Sequence, residues 1–174
     1  MSILKVARLG HPVLRTPARL IEVSELRNDT TQRLIDDMFE TMREYQGIGL
    51  AAPQVHVGIR LFVAGVDDPD GGMPPVVMVN PEIIPIGDST ENDWEGCLSI
   101  PGLRGFVERP RKIRVDYKNE DSLECSIEVE DFQATVFQHE LDHLFGFLYV
   151  DRMKDIQTLV FEEEMQNIYE QKEL

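Results

Sequence analysis

The sequence predicts an α+β fold in which a helix packs against a mostly antiparallel sheet. Two observations carry this. Helical patterns stand near 26–45, 132–144 and 154–172, and several short strand-like runs lie between the first two. Those runs follow one another without βαβ alternation, which disfavours a parallel sheet. A length of 174 residues suits one domain, 1–174, with 154–174 as its C-terminal helix.

The first helix is read over 26–45, where Leu34, Ile35, Met38, Phe39, Met42 and Tyr45 recur at helical spacing and Gly47 ends the pattern. Ile59 to Gly65, Val76 to Asn80 and Ile83 to Ile86 read as strands, divided by turns such as Asp70-Gly71-Gly72. Further strands are expected over 105–109, 111–117 and 122–130. In the last of these, Leu123, Cys125, Ile127 and Val129 alternate with polar residues, as in a half-buried strand. The second helix runs from Phe132 to Leu144 and stops at Gly146.

Composition narrows the function. Seventeen basic against 32 acidic side chains give a net charge of −15, a field that repels nucleic-acid phosphate and anionic lipid. DNA and membranes are therefore poor partners. No apolar run approaches the ~20 residues of a membrane span. The opening residues resemble neither a signal peptide nor a presequence, so a cytoplasmic location is expected. Two cysteines, Cys97 and Cys125, allow one disulfide at most.

The chemistry is concentrated in Gln138-His139-Glu140-Leu141-Asp142-His143. His139 and His143, at i and i+4, leave one helix face and can bind one ion, while Glu140 can reach a water beside it. A catalytic site typically needs a third protein ligand. The pattern HExxHxxGxxH has Gly146 in place but ends on Tyr149, which is the wrong ligand. Glu163 would suit a thermolysin-like zinc endopeptidase, although Glu162-Glu163-Glu164 also reads as a solvated acidic face. Cys125 reads as a small core residue. Cys97, in Trp94-Glu95-Gly96-Cys97-Leu98-Ser99, lies outside any periodic run, beside a glycine that permits close backbone approach. Its thiolate would complete a Cys/His/His site. A structural metal site of this type, closed by Cys125, is the non-enzymatic alternative.

Gly47-Ile48-Gly49-Leu50-Ala51-Ala52 fits a loose dinucleotide pattern, with Asp67 and Asp68 at ribose distance. However, it follows a helix and runs into Pro53, the wrong context for that fold. Two glycines followed by Gln54 better suit backbone approach to an extended ligand, with one amide aimed at it. Phe132, Thr135 and Val136 share the helix face of His139, so Phe132 and Val136 can wall a pocket. Thr135 is polar for such a wall.

Three segments together, Gly47-Ile48-Gly49-Leu50-Ala51-Ala52-Pro53-Gln54, Glu95-Gly96-Cys97-Leu98-Ser99 and Gln138 to His143, resemble the signature motifs of peptide deformylases, in the family's order. The likeness extends from Gly10-His11-Pro12 to Asp151-Arg152 and looks like the bacterial type I branch. It implies an HExxH helix lying across antiparallel strands, and removal of formyl from N-formylmethionyl nascent peptides. It also implies Cys97, His139 and His143 as ligands of one divalent ion, Fe(II) in the cell, with Zn, Ni or Co possible in purified protein. By the same resemblance Glu140 is the general base and acid, and Gln54 with the Leu98 N–H binds the oxyanion. The resemblance also implies a methionine pocket at Phe132 and Val136, with Ile48 and Glu95 nearby, and places Ile48, Gly49 and Gly96 on the substrate side.

Glu95 could pair with Arg104. His11 and His56 read as structural or solvated, and Arg104, Arg109, Arg111, Lys112 and Arg114 as neutralising an acidic surface. A nascent substrate implies transient proximity to the ribosome. The segment 154–174, with six acids and two lysines, opposes docking on RNA phosphate.

Overall fold

The structure, a computed structural model, describes residues 2–66 and 72–172. Asp67, Asp68, Asp70 and Gly71 lie outside the described residues, and with them most of the turn expected at 70–72.

Helix α1 (Val23–Leu26) precedes α2 (Asp29–Glu44). The helix expected to start at residue 26 starts instead at Asp29, because Asn28 caps it, its Oδ1 accepting the Thr31 N–H at 2.8 Å. It ends at Tyr45, before Gly47, where Gln46 takes a left-handed conformation (φ 54°).

Eight strands follow among the described residues: β1 (Gly49–Ala51), β2 (Leu61–Ala64), β3 (Val76–Pro85), β4 (Thr90–Cys97), β5 (Ile100–Pro110), β6 (Lys112–Lys118), β7 (Glu124–Glu130) and β8 (Val160–Phe161). They form a five-stranded sheet, β1-β2-β3-β6-β7, and a three-stranded sheet, β4-β5-β8. Every pairing of these strands is antiparallel. The runs at 76–80 and 83–86 prove to be one strand. Its register slips between Val79 and Glu82, where Asn80 adopts φ 49° and its side chain exchanges two hydrogen bonds with the Ile21 backbone (3.0 and 2.9 Å). Pro81 has no N–H to offer the ladder, so a bulge is the natural place for it.

Helices α3 (Asp131–Leu144), α4 (Tyr149–Arg152) and α5 (Met165–Lys172) complete the fold. The C-terminal helix expected over 154–172 is helical only from Met165. Residues 156–158 and 162–164 are single 3₁₀ turns, and β8 between them pairs with β5.

The large sheet is covered on both faces. Leu61, Val63, Val77 and Val79 pack with Ile35, Met38 and Met42 of α2. Phe62, Ala64, Met78, Ile113 and Val115 pack with Ala134, Val136, Phe137 and Leu144 of α3. Double coverage explains why β2 is an unbroken apolar run and not an alternating one. β7 does alternate, but Leu123 before it is exposed and Cys125 is only half-buried. A third cluster, including Leu14, Ile100, Val107, Leu148 and Tyr149, joins the N-terminal segment to the small sheet and α4.

Candidate active site

Cys97 ends β4, a strand the sequence did not reveal. Pairing with β5 slips there, since Gly96 faces Arg104 while Cys97 faces Ile100. This bulge re-aims the thiol, and its Sγ comes 3.3 Å from His143 Nε2 on α3. The ligand atoms of Cys97, His139 and His143 all lie within 4.8 Å of one another. One thiolate and two imidazoles are a donor set suited to a divalent transition metal, so the residues fit the ion. Burial pushes the Cys97 thiol up, but His143 and His139 beside it more than reverse this and hold it well below the usual thiol range. Burial likewise opposes charge on His139, yet its hydrogen bonds with Cys97 and Glu95 keep its imidazole well above the ordinary value.

Glu140, one position after His139, is buried, and its Oε2 has no hydrogen-bond partner. Burial raises its pKa to about 7, only partly offset by His139 and His143. An unpartnered buried carboxylate oxygen is costly, and it marks a place where a polar ligand or water belongs. Gly49 makes room for this side chain: a Cβ on Gly49 would meet Glu140 Cγ and Cδ at 2.7 Å.

Glu95 does not pair with Arg104. Its carboxylate is buried and takes His139 Nδ1 at 2.7 Å and the Arg109 guanidinium at 2.5 and 3.0 Å. Burial alone would raise the Glu95 pKa, but His139 and Arg109 outweigh it and bring it to about 2. Arg109 is also buried, and not part of a surface-neutralising cluster. It continues to Asp142 at 2.9 Å, which Arg152 grips from the other side at 2.6 Å. Two carboxylates thus meet two guanidiniums, and the buried charge is balanced. Arg104 pairs with Glu162, Arg111 with Asp131, Lys112 with Glu128 and Arg114 with Asp116.

The Gln54 amide is buried and fully engaged. Its Oε1 accepts the Ala51 N–H at 2.8 Å, and its Nε2 donates to Cys97 Sγ at 3.4 Å and Ser99 Oγ at 3.3 Å. Arg8 Nη1 donates to the Leu98 carbonyl at 2.6 Å, and the Leu9 N–H to the Ser99 carbonyl at 2.9 Å. The N-terminal segment therefore fixes the backbone just after Cys97. A cavity of about 440 Å³ opens over these groups. Ile48, Gly49, Gly96, Phe132 and Val136 all line it, as do Glu95 and Thr135. Phe132, 51% exposed, stands at its rim, whereas Val136 is buried.

Among the described residues, neither Glu163 nor Cys125 joins the ligand group. Glu163 lies in an exposed turn and Cys125 on β7. Tyr149 is buried and stacks on the His139 ring, with centroids 6.2 Å apart, and its hydroxyl has no partner. His11 caps the 3₁₀ turn Pro12–Arg15 and meets the His56 ring edge-on at 4.6 Å. Sequence reasoning missed Arg8, Ser99, Arg109 and Asp142. For Asp142 a signal existed: it stands between Leu141 and His143 in a helix read as packing on the sheet, where a carboxylate needs a cation nearby.

The family model of polypeptide deformylases matches residues 3–158. A peptide deformylase of Leptospira biflexa is 43% identical over 171 residues, covering 95% of this chain and 96% of the relative. A Met-Ala-Ser-bound crystal structure of the class I type b peptide deformylase from Acinetobacter baumannii has a TM-score of 0.83 at 37% identity, covering 88% of this chain and 100% of that one. The peptide deformylase from Thermotoga maritima gives 0.80 at 39% identity, covering 89% and 100%. Antiparallel sheets and a C-terminal helix are shared with these structures, and the match runs through all three segments of the site: this chain belongs to the polypeptide deformylase family.

Proposed function

We propose the following division of labour for the family's reaction, hydrolysis of the formyl amide of N-formylmethionyl peptides. Cys97, His139 and His143 hold one divalent ion, Fe(II) in the cell and Zn, Ni or Co in purified protein that has exchanged it. When bound, the ion would supply Lewis acidity, lowering the pKa of a water at the site toward neutrality and polarising the formyl oxygen. Glu140 takes the water proton as the formyl carbon is attacked, then returns it to the departing amine. The Leu98 N–H and Gln54 Nε2, which gives up one of its long contacts with Cys97 Sγ and Ser99 Oγ to do so, are the donors for the oxygen on which charge develops. Glu95 holds the His139 ring by Nδ1 and thus sets the direction of Nε2.

Phe132 and Val136, with Ile48, enclose an unbranched methionine side chain. Ile48 and Gly49 offer backbone groups to the extended peptide, as in strand addition, and Gly96 leaves the peptide room beside Cys97. The Met-Ala-Ser peptide bound by the Acinetobacter relative supports this class of ligand. The whole chain, 1–174, works as one catalytic domain with the HExxH helix at its centre, because Cys97 comes from the small sheet and the two histidines from the helix packed on the large one. No described helix is long and apolar enough to cross a membrane; we place the protein in the cytoplasm, near emerging chains and free of DNA.

The observation that carries this reading is the buried, unpartnered Glu140 Oε2 beside three ligand atoms within 4.8 Å of one another. Formate release from a formyl-Met peptide, measured beside its unformylated twin, tests it. Formate should appear from the first, and neither peptide should be cut internally. Internal cleavage of the unformylated peptide without formate release would replace this reading with an endopeptidase.

A further inference from the structure

Arg104 and Glu162 both line the cavity, beyond the groups assigned to chemistry. Arg104 lies on β5, and its guanidinium covers Gly96 so closely that a Cβ there would come within 2.6 Å of its Cζ. Glu162 follows β8. Pairing of Leu103 with Phe161 and of Arg104 with Val160 brings it to the same wall. Arg104 Nη2 and Glu162 Oε1 are 2.6 Å apart, and the two side chains remain 34% and 55% exposed. Of the neighbouring guanidiniums, Arg109 is buried between Glu95 and Asp142, whereas Arg8, exposed at the other end of the lining, spends one Nη1 hydrogen bond on the Leu98 carbonyl and keeps its charge. Asp93, whose Oδ1 accepts the Trp94 N–H at 2.7 Å, also lines the cavity.

We propose that Glu162 is a removable internal counter-ion for Arg104, and that the pair sets the charge preference of the outer groove. An acidic side chain downstream of the formyl-Met residue displaces Glu162 and takes the guanidinium. The inference rests on the reading that this cavity accepts an extended formyl peptide. Exposed ion pairs hold weakly and exchange readily. A guanidinium also binds carboxylates in a geometry that a peptide Asp or Glu can reproduce. Glu162 thereby keeps Arg104 from standing unpaired when no substrate is present. It also taxes acidic substrates by the exchange they must make. Asp93 discourages an acidic residue placed beside it.

Equal-length formyl-Met peptides with Asp, Asn or Lys at each of the next three positions test this in metal-loaded enzyme. Glu162→Gln should raise kcat/KM for the Asp peptide at one position by about two- to fivefold, through KM, with no gain for Asn. That gain should be absent when Arg104→Gln is combined with Glu162→Gln. It should also fade near ~1 M salt, where charges are screened within ~3 Å. Equal changes for Asp, Asn and Lys peptides, or a gain that survives in the double variant, would overturn the proposal. Failure of the unaltered enzyme to release formate from any of these peptides would remove the parent reading as well. Turnover without a charge effect removes only the role of Glu162.

Discussion

Glu95 Oε2 sits 2.7 Å from His139 Nδ1, which leaves Nε2 as the ring nitrogen that would meet an ion. A carboxylate on the far nitrogen of a ligating histidine fixes both tautomer and ring direction. Glu95→Gln keeps the shape but loses the charge, and metal affinity should fall by ~10–100-fold. Arg109→Met should cost more in folding, about 3 kcal/mol, because it leaves the buried Glu95 carboxylate with His139 alone and Asp142 with the half-exposed Arg152 alone. Metal titration of the first and urea unfolding of the second check the two effects separately. Unchanged affinity in Glu95→Gln would remove the orienting role.

Cys97→Ala should lose metal and activity, while Cys125→Ala and Glu163→Gln keep both. The thiol that approaches His143 at 3.3 Å belongs to Cys97, and neither of the other residues joins the ligand group. Metal analysis of the three purified variants decides the matter. Full metal content in Cys97→Ala would refute the assignment.

Glu140→Gln should retain its metal and lose turnover by ~10²–10⁴, the usual worth of a positioned general acid–base group. Gln54→Ala should also keep metal and lose roughly 10²–10³ in kcat, because its donor matters most once the oxyanion forms. Near-normal deformylation by metal-replete Glu140→Gln would assign the proton to another group.

Gly49→Ala is a test of space. Its Cβ would collide with Glu140 Cγ and Cδ, each at 2.7 Å, so the carboxylate must move. Displacement of a catalytic group by ~1 Å can cost ~10²-fold. We expect kcat to fall on that scale with metal retained. A variant as active as the parent would show that Glu140 tolerates the shift.

Acid sensitivity should have a traceable component at Asp151. Burial raises its pKa, but the Arg15 guanidinium and the Leu148 N–H, at 2.8 Å, outweigh this and hold it below the usual range. A depressed carboxyl stabilises the fold above its unfolded pKa of ~3.9, and that contribution disappears as pH falls through the folded value. Asp151→Asn should therefore cost about 1 kcal/mol or less at pH 7, given the exposure of the pair. The difference from the parent in urea unfolding should shrink toward pH 3. A difference independent of pH would locate the effect in something other than charge.

The helix carrying His139 and His143 was legible because it depends on local spacing. Phe132 to Leu144 needed only a 3.6-residue period, and His139 and His143 only one turn of it. β4 was not legible: Thr90–Cys97 alternates poorly, with exposed or half-buried residues except Glu95. A buried glutamate is the reverse of what a strand pattern leads one to seek. Its partner Arg109 comes from the neighbouring strand, and no spacing rule connects the two. The C-terminal segment misled for another reason. Its helical period is interrupted by pairing of Val160 and Phe161 with β5, a tertiary contact that overrides local propensity.

The two-sided cover of β2 also governs the order in which the molecule can open. Leu61–Ala64 cannot part from its neighbours unless α2 and α3 both lift away, so its amides belong to the most protected cooperative unit. Helix α3, which carries His139 and His143, is anchored in that same unit. The segment from Ile156 to Glu164, without a fully buried side chain, can fray at little cost. Breathing at the groove's outer wall is thereby decoupled from the rigidity of the catalytic floor.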